Sequence, residues 1–326
     1  TEELLSCLNS PESQQLSFGS LVVQSQSKLL EIPKWSSIAT FTPEIKKWEQ
    51  TGLIVPLKSL AKVVRGIATG ANDFFALPTQ EVKQRALEPY VVRTIQRNRE
   101  VQDIVLDEVA WQALSNEGKR VWLLYLNGGN MNCHPEVSGY LAEGEAKSYH
   151  RRSLVQTRKQ WYFMEQRDIP AIFFTILTRG NPRFILNKAG VRPLNMFSLI
   201  YPNKYVVKAD CIELLWALLN SSFSLSRLHS VSRTYGGNTL KVEPRELDNL
   251  PVINPLVLPD EFKQRIKGLI DEFYHHRDAA VLVRKINALI NTLLNSETVT
   301  QYQSSLPTQF QLLESRRRYG EIIDGK

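Results

Sequence analysis

Apolar residues in this chain change their spacing at Pro251. Before it they gather in short runs cut by Gly, Pro and basic clusters, the pattern of strands joined by turns. VWLLYL (Val121 to Leu126) and AIFFTIL (Ala171 to Leu177) are short and continuous, which predicts buried strands, and FIL (Phe184 to Leu186) predicts a third. LKSLAKVVRGIATGANDFFAL (Leu57 to Leu77) predicts strand, Gly-containing turn, strand. Between these runs lie four helix signals. Thr42 to Gln50 has Thr42 as N-cap, Pro43 at the first position, Ile45 and Trp48 on one face and Gly52 as the stop. Thr79 to Leu87 predicts a short helix. Pro135 opens another, with Val137, Tyr140 and Leu141 on one face, and Asp210-x-x-Glu213 starts a core helix striped by Leu214, Leu215, Leu218 and Leu219.

After Pro251 the helical period takes over. Phe262, Ile266, Leu269, Ile270 and Phe273 make one stripe, and Val281, Leu282, Ile286, Leu289, Ile290 and Leu293 make a second. The expected fold class is α+β: a mixed β-sheet domain at 29–255, followed by a helical hairpin within 256–326 whose end, Arg316 to Arg318, is a solvated tail. Residues 1–28, rich in Ser and Gln, read as a linker or the remnant of a preceding domain, and the start without Met predicts an excised fragment.

Charge sharpens this picture only slightly. Forty Lys and Arg against 33 Asp and Glu leave +7 on 326 residues, which favours a polyanionic partner without demanding one. Cys7, Cys133 and Cys211 are odd in number and far apart, so neither a disulfide framework nor a zinc knuckle follows, and a reducing cytoplasm fits. No apolar run approaches the roughly 20 residues of a membrane span.

The chemistry-bearing residues concentrate in two stretches, Arg158 to Pro202 and Ser232 to Val252, where Arg and Lys alternate with aromatics and Asn. Such side chains bind phosphates, stack on bases and hydrogen-bond base edges. Arg151, Arg152, Arg158 and Lys159 lead into Trp161 and Tyr162, which serve either as core aromatics or as a stacking platform. Arg179 and Arg183 flank a turn, Asn187 and Asn195 flank a loop, and Arg233, Tyr235 and Lys241 surround Gly236-Gly237, read as a tight turn. In the segment from Arg65 to Asp73, Gly66 and Gly70 permit close backbone approach while Arg65, Thr69 and Asn72 carry donors; a phosphate contact and an ordinary hairpin both fit. Arg93, Arg97 and Arg99 read as a mainly solvated face with only a minor DNA-contact role.

Several chemistries are excluded by spacing. Gly70 is followed by Ala71-Asn72, not Lys-Ser/Thr, so there is no Walker A loop, and the glycines do not form G-x-G-x-x-G. No D/N-P-P-Y/F loop is present, since Asn181-Pro182 and Asn254-Pro255 both lack the second proline. Pro259-Asp260-Glu261-Phe262-Lys263 has the letters of a Mg²⁺ nuclease motif without its spacing, and the histidines and cysteines lack zinc-ligand intervals.

RGIATGANDFFAL (Arg65 to Leu77), Gly144-Glu145 with Arg158 and Trp161-Tyr162, RGNPRFILNKAGV through Asn195 to IYP (Arg179 to Pro202), and RTYGGN with KVEPRELDNLPV (Arg233 to Val252) occur in that order. Together they resemble the C-terminal target-recognition domain of N6-adenine DNA methyltransferases of the TaqI-like and type IIG restriction-modification group. The resemblance implies a prokaryotic, sequence-specific double-stranded DNA reader. Its S-adenosylmethionine-binding methyltransferase domain would lie N-terminal in the same parent protein, with no catalytic residue, cofactor or metal in this chain. It implies DNA contacts from Arg65, Thr69, Gly70, Asn72, Arg158, Trp161, Tyr162, Arg179, Arg183, Asn187, Asn195, Arg233, Tyr235 and Lys241, alongside the basic Arg151, Arg152 and Lys159. Two other classes remain: a nuclease with an unrecognised active site, and a protein-interaction module docking through the C-terminal helices. The second needs the stripe after Pro259 to be exposed.

Overall fold

The computed structural model describes residues 14–16, 19–21, 48–126, 134–179, 182–235 and 239–295. A five-stranded sheet lies at the centre, in the order β4 (Ala61–Arg65), β13 (Phe197–Pro202), β9 (Ile172–Thr175), β11 (Phe184–Asn187) and β7 (Val105–Leu106). All neighbours are antiparallel except β11 and β7. Alternate residues go to opposite sides: Phe173, Ile185 and Leu199 pack with Trp111, while Ile172, Phe174, Phe184 and Ile200 pack with Trp216. Both faces are covered, which is why these strands are unbroken apolar runs rather than alternating ones.

Helices Ile212–Leu219, Asp260–His276 and Ala279–Asn295 cover one face. Ile266, Ile270, Phe273, Leu282, Ile286, Leu289, Ile290 and Leu293 are buried in the same core as the sheet. Each such side chain contributes roughly 1.5–3 kcal/mol relative to exposure. The apolar stripe is therefore consumed inside the chain, which removes the feature that an interaction module needed. The chain is α+β with C-terminal helices, as its periodicity predicts.

A second sheet runs β12 (Arg192–Pro193), β6 (Val91–Ile95), β8 (Trp122–Leu124) and β5 (Ala76–Leu77), and packs with helix Pro135–Ala146 around Phe74, Phe75, Leu124 and Tyr140. β3 (Ile54–Pro56) pairs with β16 (Pro251–Ile253). Within the expected linker 1–28, β1 (Gln14–Leu16) and β2 (Gly19–Leu21) form an antiparallel pair. Only residues 48–50 of the expected helix Thr42 to Gln50 are described, and they are helical. Gly236-Gly237 and the Arg316 to Arg318 tail lie outside the described residues.

Four expectations are corrected. Leu57 to Leu77 is not a hairpin: β4 and β5 belong to different sheets, joined by an extended segment and the one-turn helix Asn72–Phe75. AIFFTIL is not one strand, because after Thr175 the chain leaves the central sheet and starts β10 (Leu177–Arg179) in another. Asp210 does not cap its helix; it lies in the 3-10 turn Ala209–Cys211, 3.6 Å from Lys267. VVRTIQRNRE is not simply a solvated face, since Val91–Ile95 is β6. Helices Glu108–Asn116 and Ser222–Val231 are additional; Asp107 and Ser221 cap them by accepting from Ala110 and Ser224 amides.

Candidate nucleic-acid interface

β10 pairs with β15 (Thr239–Lys241), which pairs with β14 (Arg233–Tyr235), forming a three-stranded antiparallel ribbon beside the central sheet. Residues directly opposite in such a sheet point to the same side. The register Leu177↔Lys241↔Arg233 therefore puts an apolar and two cationic side chains in one row. Thr178 and Leu240, one position along, are buried. Arg179 and Tyr235 stand on either side of Thr239 by backbone pairing; their side chains lie outside the described residues.

The ribbon is tied to the loop before β13. Val242 N–H donates to the Ile176 carbonyl at 2.8 Å, and Ile176 N–H donates to the Met196 carbonyl at 3.0 Å. Arg65, at the end of β4, donates through Nε to the Asn195 carbonyl at 3.3 Å. Leu177 and Met196 are 41 % and 40 % exposed, large apolar side chains left open among cations. Glu243 follows the end of β15 by two residues. The hydrogen bond from Lys241 holds its carboxyl below the usual carboxylate range, and the charges of Arg65 and Arg233 act in the same direction. Lys241 Nζ is 2.7 Å from Glu243, and Arg233 Nε donates to Glu246 at 3.0 Å. Arg65, Asn195, Lys241 and Arg233 thus lie around one surface, with carboxylates holding two of the cations.

The other expected contacts are held differently. Arg158 donates to the carbonyls of Ala68 and Thr69, both at 2.7 Å, and to that of Trp161 at 3.3 Å; burial pushes its guanidinium pKa down. Arg183 donates to the carbonyls of Asn98 and Val101, with burial acting on it in the same direction. Asn187 spends its carboxamide on the carbonyls of Pro170 and Val191 and the amide of Val191. Thr69 is fully buried, its hydroxyl donating to Asn72 and accepting from Ala71 N–H. These four side chains hold loops in place through bonds within the chain, and of the four Thr69 is fully buried. Arg158 and Arg183 are thus held by backbone carbonyls, whereas Arg233 and Lys241 are held by carboxylates.

The Arg65 to Asp73 segment has no open cradle either. A Cβ on Gly66 would meet the carbonyl oxygen of Leu194 at 2.3 Å and that of Pro193 at 2.6 Å, so this glycine admits neighbouring backbone and not a phosphate. Gly70 has φ of +73° and faces Val155 and Leu154. Asn72 is exposed, with its carboxamide oxygen taken by Thr69. Arg152 makes a two-pronged bond to Asp73, at 2.6 and 2.8 Å, which holds that carboxyl below its ordinary pKa. Trp161 and Tyr162 pack on the core of the second sheet. Trp161 donates to Glu145 at 3.0 Å, and a Cβ on Gly144 would strike the rings of Phe74 and Trp161. The Gly144-Glu145 and Trp161-Tyr162 strings are thus one packing unit. Arg151 and Lys159 are exposed.

Sequence reasoning missed Leu177, Met196, Glu243 and Glu246, the apolar and acidic part of the surface. Strand alternation in β10 was a signal for Leu177 alone; Met196, Glu243 and Glu246 lie outside the ribbon strands. Asp260, from the nuclease-like string, pairs with Lys263 at 3.3 Å in the first turn of its helix. Among the described residues no group of three or more His, Cys, Asp or Glu could hold a metal ion, and no helix is long and apolar enough to cross a membrane.

A mixed sheet buried on both faces, with a charged ribbon beside it and a helical cover, defines an α+β domain. Residues 34–290 match the family described as the C-terminal domain of type II methyltransferase M.Eco57I, and the chain belongs to that family. It is 26% identical over 283 residues to type II methyltransferase M.AccI of Acinetobacter calcoaceticus, covering 82% of this chain and 52% of the relative. To type II methyltransferase M.XamI of Xanthomonas campestris pv. amaranthicola it is 25% identical over 116 residues, 36% of this chain and 21% of that protein. The chain thus spans about half the length of M.AccI. The type IIG restriction endonuclease BpuSI shares the fold with a TM-score of 0.51 at 16% identity, over 93% of this chain and 36% of that one.

Proposed function

We propose that this chain is the DNA-reading part of an adenine-specific (N6) type II methyltransferase. In this reading the ribbon and the Arg65–Asn195 edge contact a double-stranded target. Lys241, Arg233 and Arg65 bind backbone phosphates, exchanging the carboxylates of Glu243 and Glu246 for phosphate oxygens. Asn195 has no hydrogen bond to its carboxamide among the described residues. It is the candidate to grip a base edge, and Leu177 or Met196 to contact a thymine methyl group. S-adenosylmethionine and the methyl transfer belong to the parent's other half, the intramolecular partner in this reading.

The observation that carries the proposal is the pair Arg233 and Lys241, opposite each other on the ribbon and bonded to Glu246 and Glu243, in a chain of this family. Fluorescence anisotropy of labelled duplexes with the 326-residue chain tests it. Binding should weaken steeply with salt, with a slope of about −0.9 for each phosphate neutralised. Salt-independent binding, or none at low ionic strength, sinks the proposal.

A further inference from the structure

A second basic surface lies away from the ribbon row. The 3-10 turn Asn98–Glu100 and the turn between helix Glu108–Asn116 and β8 enclose a cleft of about 500 Å³. Arg97, Arg99, Lys119 and Arg120 line it, with Gln96 and Gln102 between them. Two carboxylates are present. Glu100 is occupied by backbone, accepting from the amides of Gln96 at 2.9 Å and Arg97 at 3.0 Å, and Glu117 lies 3.6 Å from Lys119. Arg97 and Arg99 are exposed, and among the described residues no carboxylate pairs with either.

The walls of the cleft are fixed. Arg120 donates through Nη1 to the carbonyls of Asp73 at 2.6 Å and Ala76 at 3.3 Å. Gln96 donates to the Arg120 carbonyl at 2.9 Å, and Gln102 to the Arg99 carbonyl at 2.7 Å. Leu114 is the one apolar side chain of the lining, which contains no aromatic ring. The cleft offers charge and donors and nothing on which a base or an adenosine could stack, so its chemistry suits a phosphate alone.

Its position relative to the ribbon selects the source of that phosphate. Thr175, the last residue of β9, donates to Asn98 Oδ1 at 2.8 Å, and Arg183, just before β11, donates to the Asn98 and Val101 carbonyls. The turn carrying Arg97 and Arg99 is thereby stapled to the strand end from which β10 departs two residues later.

We propose that this cleft is a phosphate site that takes a backbone phosphate of the duplex flanking the bases faced by the ribbon. The inference rests on the DNA-reading function above and adds a sequence-independent anchor to it.

The test compares the 326-residue chain with an Arg97→Ala, Arg99→Ala double variant, using duplexes of different sequence and, separately, inorganic pyrophosphate followed by amide NMR shifts. The expected result is an affinity loss of about 10-fold at low salt, equal for all duplexes, with the salt slope shallower by about 1 to 2. Pyrophosphate should shift the amides around Arg97, Arg99 and Lys119 in the unaltered chain. Arg97→Lys with Arg99→Lys, which keeps the charge, should restore most of the affinity and guards against a folding defect. If the unaltered chain binds duplex and the double variant binds it equally, the inference falls while the DNA-reading function stands. Pyrophosphate shifts together with unchanged duplex binding assign the cleft to a free phosphate and also overturn it. A chain that binds no duplex at all removes both.

Discussion

Arg158 gives its guanidinium donors to three backbone carbonyls contributed by two stretches of chain, whereas Arg233 gives one to a single carboxylate at the surface. A carbonyl neither leaves nor releases the arginine, so Arg158 is part of the loop's construction. A surface carboxylate holds its arginine weakly, by about 0 to 1 kcal/mol, and a phosphate can replace it. The Arg65 to Asp73 region and the ribbon therefore use the same residue types for opposite purposes. What distinguishes them is the partner, and the partner decides which cations remain available to a ligand.

The contrast can be broken most severely at Gly66. Alanine there must displace the backbone of Pro193 and Leu194, and a stability loss of about 3 kcal/mol or more is expected in urea denaturation. Unchanged stability would mean that the close approach is not required. Arg158→Ala comes next. It leaves the Ala68 and Thr69 carbonyls without their donor, and should lower stability by about 2–3 kcal/mol. If it instead left the urea midpoint in place and weakened duplex binding alone, the two regions would be alike after all.

Arg233→Ala combined with Lys241→Ala reverses that signature. Stability should move by no more than about 0.5 kcal/mol, while anisotropy should show duplex affinity falling about 10-fold or more with a shallower salt slope. Equal affinity would remove the ribbon from the interface.

The smallest effect is that of pH. The Glu243 carboxyl is lowered from 4.5 chiefly by Lys241 and that of Asp73 from 3.8 chiefly by Arg152. Both groups have depressed folded pKa values, so their contributions are complete above those ordinary values and vanish as pH falls through the lower folded ones. Thermal melts between about pH 5 and 3 should decline slightly less steeply in Lys241→Ala than in the unaltered chain; identical slopes would count against this coupling.

Much of the architecture was legible because burial imposes periodicity. The stripes Ile266–Ile270–Phe273 and Leu282–Ile286–Leu289–Leu293 gave both C-terminal helices, FIL gave a central strand, and the first part of AIFFTIL gave another while its end passes into the ribbon. Helix Ser222–Val231 was hidden by its serines at 222, 224, 226 and 230, although Ser221 caps it. β6 was masked by Arg93, whose charge is met by Glu108. The surface was harder. Nothing near Arg158 in the chain announces that Ala68 and Thr69 will meet it, and nothing near Asn187 reveals that Pro170 and Val191 will take its donors. Partners distant along the chain are set by topology, which local spacing does not encode.

One residue, Ile176, separates β9 in the central sheet from β10 in the ribbon. Its backbone is gripped on both sides by Met196 and Val242 while its side chain stays buried. Outward-facing positions of the ribbon beyond that joint can therefore be exchanged without disturbing the hydrophobic interior, because the joint itself is fixed by backbone.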